Sequence, residues 1–349
     1  MSRRTSTLAA AGLLVLTLVA VAMLLPVPYV TMRPGPTVDA LGDYDGKPVL
    51  EVEGAKTYKT DGELRLTTVS VTRADSRVSL PQAFTAYFDP KEAVVPRDLV
   101  YPENQTAEES RQENAAQMAS SKLTSEAAAL TAAGYEVESV VEIAAVTEDG
   151  PSDGVLEVDD VLVAIDGTKV TGTDQAVKLV SSKKPGDVIT LDIRRDGKDQ
   201  TVKVTSEAAT DDPSKARIGV SLGTDVELPF PITNNLGESI GGPSAGLVFA
   251  LALYDMLTPG ALTDGATVAG TGTIDAAGAV GPIGGIQQKL AGASSAGAKV
   301  FLVPDGNCAE AAASDDFGMR LVRVETLDDA VNALEKLSDD PKATVPTCS

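Results

Sequence analysis

LGESIGGPSAGLVFALALYDML, residues Leu236 to Leu257, carries a serine out of a glycine loop and into an apolar helix. Gly241 and Gly242 let the backbone approach a substrate closely, and Pro243 suits a first helical position, where no amide proton is needed. Ser244 then falls within the first turn, where free N–H groups and the positive end of the helix dipole surround its hydroxyl. Such an environment activates a serine and stabilises an oxyanion, with Gly241 and Gly242 as the backbone contributors. The same residues also describe a serine that helps to cap a buried helix, and the local sequence leaves both readings open.

Composition narrows the chemistry. The 349 residues hold about two domains, and 43% hydrophobic residues supply a sizeable core. Fifty acidic against 29 basic residues give a net charge of −21, which repels phosphate backbones. With no Trp, 6 Phe and 7 Tyr there is little for base stacking either, so nucleic-acid partners are not expected. The chain has no histidine. That removes Ser-His-Asp triads, Cys-His dyads and HExxH zinc sites together. Gly242-Pro243-Ser244-Ala245-Gly246 matches the G-x-S-x-G elbow only in form, since that elbow works with a histidine base. A nucleophilic serine here needs another base, and a lysine neutralised by burial is the usual substitute. The acidic residues show no clustered ligand spacing, so no metal or organic cofactor is implied.

Arg3 and Arg4 precede an apolar run from Leu8 to Leu25, and no charge follows until Arg33. This reads as a membrane helix over residues 8–28, with residues 1–7 cytoplasmic and everything after it outside. A cleaved signal peptide is the competing reading, but its Ala20-Val21-Ala22 motif lies inside the apolar run. The expected location is the cell membrane, single-pass, with the later domains extracytoplasmic. Cys308 and Cys348 then sit in an oxidising compartment and are a candidate disulfide, although two free thiols fit the sequence as well.

Along the chain, Arg33-Pro34-Gly35-Pro36 reads as a stiff exit from the membrane, Val49 to Val71 as strands, and residues 90–105 as irregular loop. A capping box, Thr106 with Glu109, opens an Ala-rich connector helix that runs to Ala133. Residues 135–207 form a β-rich module, with a hairpin turning at Asp196-Gly197. Its Leu156-x-x-x-Asp160-Val161-Leu162-x-x-Ile165-Asp166-Gly167 resembles the PDZ family, which binds extended peptides by strand addition. Asp159 departs from the family's glycine, and Gly134-Tyr135-Glu136-Val137 is a poor copy of its carboxylate loop. From Arg217 onward strands and helices alternate: strands at 217–228, 266–274, 299–304 and 321–324, helices at 243–257, 286–296 and 327–337. The overall class is α+β. No P-loop motif occurs.

A second glycine-to-helix junction, Gly284-Gly285-Ile286-Gln287-Gln288-Lys289, puts Lys289 on the helical face of Ile286 and Ala293. Alone it describes an ordinary surface lysine. Moving its pKa toward 7 takes roughly 4–5 kcal/mol, which burial supplies. Gly241-Gly242-Pro243-Ser244-Ala245-Gly246, Gly270-Thr271-Gly272-Thr273-Ile274 and Pro282-Ile283-Gly284-Gly285-Ile286-x-x-Lys289 together resemble the Lon-type serine protease domain, over residues 230–340. The resemblance implies Ser244 as nucleophile, Lys289 as general base and Thr271 as the hydroxyl that positions the amine. With the anchor and PDZ-like module the layout is similar to the YlbL-type PDZ-containing, membrane-anchored Lon-like proteases of Gram-positive bacteria. In that layout residues 29–134, strands plus connector helix, complete the protease fold around the inserted module, and 341–349 is a tail. The implied activity is ATP-independent cleavage of unfolded or accessible extracytoplasmic protein segments, and hexameric Lon rings imply a homo-oligomer. Ser239-Ile240-Gly241 and Glu238 depart from the segment that Lon carries there, and Asp305 and Asn307 fall at its site rim or in a plain turn. The rival function is an inactive PDZ/protease-like scaffold that holds peptides at the membrane surface; self-processing near Pro34 or 90–105 is a third.

Overall fold

Pro26 and Pro28 stop the first helix, because neither has an N–H to extend it. The computed structural model describes residues 3–102, 105–210, 212–237 and 240–348. In chain order its helices are α1 (Arg3–Leu24), α2 (Leu80–Phe88), α3 (Ala107–Ala132), α4 (Thr173–Ser181), α5 (Gly246–Leu257), α6 (Ile286–Ser295), α7 (Cys308–Ala313) and α8 (Leu327–Asp339). The principal strands are β1 (Tyr29–Asp39), β2 (Leu50–Val52), β3 (Glu63–Val71), β4 (Ala93–Pro96), β5 (Glu138–Val146), β6 (Val161–Ile165), β7 (Val188–Arg195), β8 (Lys198–Thr205), β9 (Val220–Glu227), β10 (Ile232–Asn234), β11 (Thr267–Gly270), β12 (Val300–Pro304) and β13 (Arg320–Val324). Two compact units divide them: Met1–Tyr135 with Phe230–Ser349, and Glu136–Pro229.

The first unit is built on a six-stranded sheet in the order β13-β12-β11-β3-β1-β4. β3, β11, β12 and β13 run parallel, while β1 is antiparallel to both β3 and β4. Residues before the second unit thus share one sheet with residues after it, Leu66 standing opposite Gly270. α5, buried along most of its length, supplies the core of this layer, packed against Leu64, Leu66, Met118 and Leu334. A smaller core on the other side joins α6 to β12 through Ile286, Leu290 and Phe301.

Two expectations need correction here. The Arg33–Pro36 exit is part of β1, not a spacer. Its prolines are tolerated because β4 pairs only as far as Met32 and the register against β3 shifts between Pro34 and Thr37. Residues 90–105 are not all loop, since they include β4. The connector helix is α3, and its C-terminal half from Ala127 to Leu130 is buried against α5, small alanines allowing the close approach. Its capping box forms as read, Glu109 N–H donating to Thr106 Oγ1 at 3.1 Å.

α1 carries the apolar segment Thr7–Leu24, long and apolar enough to cross a membrane and with none of it buried in the protein. Beyond it Pro26–Val27 pairs with Val78–Ser79, so residues 25–28 are not helical.

The second unit is an antiparallel sheet, β8-β7-β6-β5-β9, with α4 beside it. Its hairpin turns at Asp196 and Gly197, both at positive φ. β9 pairs with β5, so the compact unit extends past residue 207 to Pro229. Asp159 adopts φ 70°, the left-handed conformation that glycine takes without strain. Asp160, fully buried, is held by Arg195, whose Nε and Nη2 donate to its two oxygens at 2.7 and 2.6 Å. Burial pushes this carboxyl up, but the bonds from Arg195 and from the Glu157 amide outweigh it and hold it below the usual range.

Candidate active site

Ser244 lies in the turn just before α5, two residues ahead of the helix rather than inside it. The cause is Gly272. Its N–H donates to the Ser244 carbonyl at 3.0 Å and its own carbonyl accepts from Leu247 N–H at 3.1 Å, so groups that would start the helix are spent on the neighbouring strand end. Gly242 supplies the positive φ, 87°, that turns the loop. From α3, Ser121 Oγ donates to the Pro243 carbonyl at 3.0 Å, and Lys122 Nζ donates to the carbonyls of Asn234 and Leu236 at 3.1 and 3.3 Å. One helix therefore holds the Ser244 loop at both ends.

Lys289 enters from α6. The turn before it needs Gly285 at φ 71°, where a Cβ would meet Val69 Cγ2 at 2.9 Å. Asn307 fixes the segment ahead of that turn, accepting from Ile283 N–H at 2.8 Å and donating to Ile283 O at 2.9 Å. Asp305 instead pairs with exposed Arg323. The Lys289 side chain is 3% exposed. Its Nζ lies 2.9 Å from Ser244 Oγ and donates to the Thr67 carbonyl of β3 at 2.8 Å. Burial pushes the amine down from 10.5 to about 7. At neutral pH a large fraction of it is therefore a neutral amine with a lone pair for a hydroxyl proton.

The other expected site residues divide. Thr271 is fully buried beside the pair, but its hydroxyl donates to the Ser244 carbonyl at 3.0 Å, not to the lysine. It steadies the Ser244 backbone, and the Thr67 carbonyl orients the amine. The Gly242 amide is already engaged, donating to the Asn114 carbonyl at 3.1 Å, because α3 packs over the glycine loop. Among the described residues the amides of Gly241, Ser244 and Ala245 make no hydrogen bond. Glu238 and Ser239 lie outside the described residues. Cys308 and Cys348 are joined as a disulfide. No cluster of metal-ligating side chains occurs among the described residues. Thr67 and Asn114 escape sequence reading because they act through backbone carbonyls, which every residue carries.

The second unit holds a groove of about 750 Å3 between α4 and β9, lined by Leu162, Ile165, Ala176, Val180, Ile218 and Leu222 among others. Gly219 at φ 72° turns the chain at its edge, and β9 is an edge strand with one side unpaired in the sheet. Gly134 and Tyr135, where the carboxylate loop was sought, end α3 in the first unit and do not line this groove. The segment Arg217-Ile218-Gly219-Val220 lines it instead. Its signal was an isolated glycine at the start of an alternating strand.

Comparison with known proteins assigns both parts. Residues 116–205 match the sequence model of the PDZ domain, and residues 238–335 match that of the Lon protease (S16) C-terminal proteolytic domain. A Lon protease of Campylobacter concisus is 38% identical over 98 residues, 27% of this chain and 12% of that protein. Lon protease 2 of Bacillus subtilis is 31% identical over 110 residues, 32% of this chain and 19% of that protein. The chain thus spans less than a fifth of the curated relatives it matches. The PDZ domain of an SdrC-like protein from Listeria monocytogenes is similar over 24% of this chain and 86% of that one, at 24% identity and a TM-score of 0.22. By its two matched regions, the chain carries a PDZ domain and a Lon-type proteolytic domain.

Proposed function

We propose that the chain is a serine endopeptidase in which Lys289 is the general base for Ser244. The observation that carries this is the 2.9 Å approach of a buried amine, lowered to about 7, to a serine hydroxyl in a chain without histidine. The neutral amine takes the Ser244 proton as Oγ attacks a peptide carbonyl, and the resulting ammonium returns a proton to the leaving amine. The unengaged amides of Gly241, Ser244 and Ala245 are the donors available to the oxyanion. Water then hydrolyses the ester.

α1 anchors the protein, with the two folded units on the outer side as the Arg3 and Arg4 placement directs. The absence of a P-loop sequence supports cleavage without ATP, of unfolded or accessible protein segments. The groove beside β9 receives an extended peptide by strand addition. The test is hydrolysis of casein by the full chain in detergent, beside Ser244→Ala and Lys289→Ala, between about pH 6 and pH 10. Turnover that rises with a midpoint near the lysine value of about 7 and vanishes in both variants is expected. Binding without turnover in the parent chain overturns the proposal in favour of a peptide-holding scaffold.

A further inference from the structure

α2 is built inside out. Its inward side chains are small, Ala83 and Ala86, while Leu80, Phe84, Tyr87 and Phe88 are 43%, 63%, 74% and 66% exposed. These four fall at i, i+4, i+7 and i+8, a continuous helical stripe. Phe88 touches both Phe84 and Tyr87, with ring centroids 4.9 and 5.2 Å apart, so the exposed face is a continuous aromatic surface. Leu99, 76% exposed, adds to the apolar surface near the same chain exit, because Arg97 N–H donates to the Pro28 carbonyl. A monomer in water gains nothing from such a face.

Its position identifies the occupant. Pro26 pairs with Ser79, so the end of the apolar helix α1 and the start of α2 meet across a two-residue ladder, and the two helices touch. A helix that begins where a membrane span ends sits at the depth of lipid headgroups, where aromatic rings partition favourably. We infer that α2 is an interfacial helix that lays its Phe84/Tyr87/Phe88 face into the bilayer beside α1, a second attachment to the lipid surface. The inference rests on α1 crossing the membrane, as proposed above. Charges flanking α2 balance, Arg77 and Lys91 against Asp75 and Asp89, so the contact is apolar and insensitive to salt. Gln287 Nε2 of α6 donates to the Pro90 carbonyl just beyond α2, which ties this attachment to the helix that bears Lys289.

The chain has no tryptophan, so single substitutions report without background. Phe84→Trp, Leu14→Trp in α1 and Asn332→Trp on the exposed face of α8 are made in the full chain. Each is placed in vesicles of phosphatidylcholine and phosphatidylglycerol containing acyl-brominated phosphatidylcholine. Expected is blue-shifted emission quenched by brominated lipid for Phe84→Trp and Leu14→Trp, unchanged by salt, with Asn332→Trp unquenched; Tyr87→Trp serves as a second reporter on the same face. Quenching at Leu14→Trp with water-like, unquenched emission at Phe84→Trp and Tyr87→Trp overturns the inference and leaves the anchor standing. Quenching at Phe84→Trp without quenching at Leu14→Trp overturns the span, and with it the inference that α2 is a second attachment beside one. Blue-shifted emission that grows with protein concentration and ignores brominated lipid assigns the face to a second copy of the chain, and overturns the lipid reading.

Discussion

Lys289 illustrates how a single burial trades stability for reactivity. Its folded value, about 7, lies below the ordinary 10.5. Below pH 7 both folded and unfolded chains hold the proton, and the fold bears the full penalty of an enclosed ammonium, about 5 kcal/mol. Between about 7 and 10.5 the folded chain binds fewer protons than the unfolded one, so stability rises with pH and the penalty fades. Lys289→Met should therefore raise the urea midpoint strongly at pH 6 and much less at pH 9, while abolishing turnover. Equal midpoints at pH 6 would contradict this account of the amine. The Arg195–Asp160 pair makes the opposite case. Asp160 is fully enclosed, and Arg195→Ala leaves it with the Glu157 amide as its remaining donor, which should destabilise the second unit by about 3 kcal/mol. Faster amide hydrogen exchange confined to residues 136–229 is the expected readout. Ser244, Lys289 and Asp160 were legible in the sequence because side-chain identity is what motifs record. The orienting role of Thr67 was not legible, since a carbonyl leaves no trace in residue type.

Among the elements, α3 departs furthest from its sequence pattern. Its polar surface suggested a linker, yet Asn114, Ser121 and Lys122 grip the Ser244 loop and Glu126 is buried as well. Helical polarity misled because the gripping groups are polar and the packed ones are alanines. Burial raises the Glu126 carboxyl from 4.5 to about 7, against a weaker lowering by Lys122. The unfolded chain ionises first as pH rises through 4.5, so the penalty grows from there and is complete above 7, at about 3 kcal/mol. Glu126→Gln should accordingly stabilise the protein at pH 8 and leave it unchanged at pH 4, as read by urea unfolding at each pH. α2 was invisible for a different reason. Its apolar residues recur at helical spacing, but nine residues with Pro81 near one end and Pro90 beyond the other are too short a window for that period to stand out from loop.

For the whole molecule, the six-stranded sheet exposes one flank at β13, and the C-terminal tail covers it. Arg323 N–H donates to the Pro346 carbonyl at 3.1 Å, Thr347 bridges to Val322, and Cys348 is bonded to Cys308 at the start of α7. A closed edge resists pairing with other chains. Closing a loop of 40 residues stabilises by about 4 kcal/mol in the chain-entropy description. Cys308→Ser with Cys348→Ser should lower the unfolding free energy extrapolated from urea titration by no more than that, and should increase light scattering on heating as the β13 edge opens. Two-unit organisation was readable from composition and motifs. The sharing of one sheet by distant segments was only an expectation, since parallel pairing over long separations leaves no local pattern. That sharing has a temporal side. Thr67 leaves the ribosome 222 residues ahead of Lys289, with all of Glu136–Pro229 made between them. Until β3 meets β11 the lysine has neither its carbonyl nor its enclosure, keeps its ordinary basicity and is an idle cation at neutral pH. The close approach of Lys289 to Ser244 is therefore a product of completed folding, and synthesis of the two residues does not by itself create it.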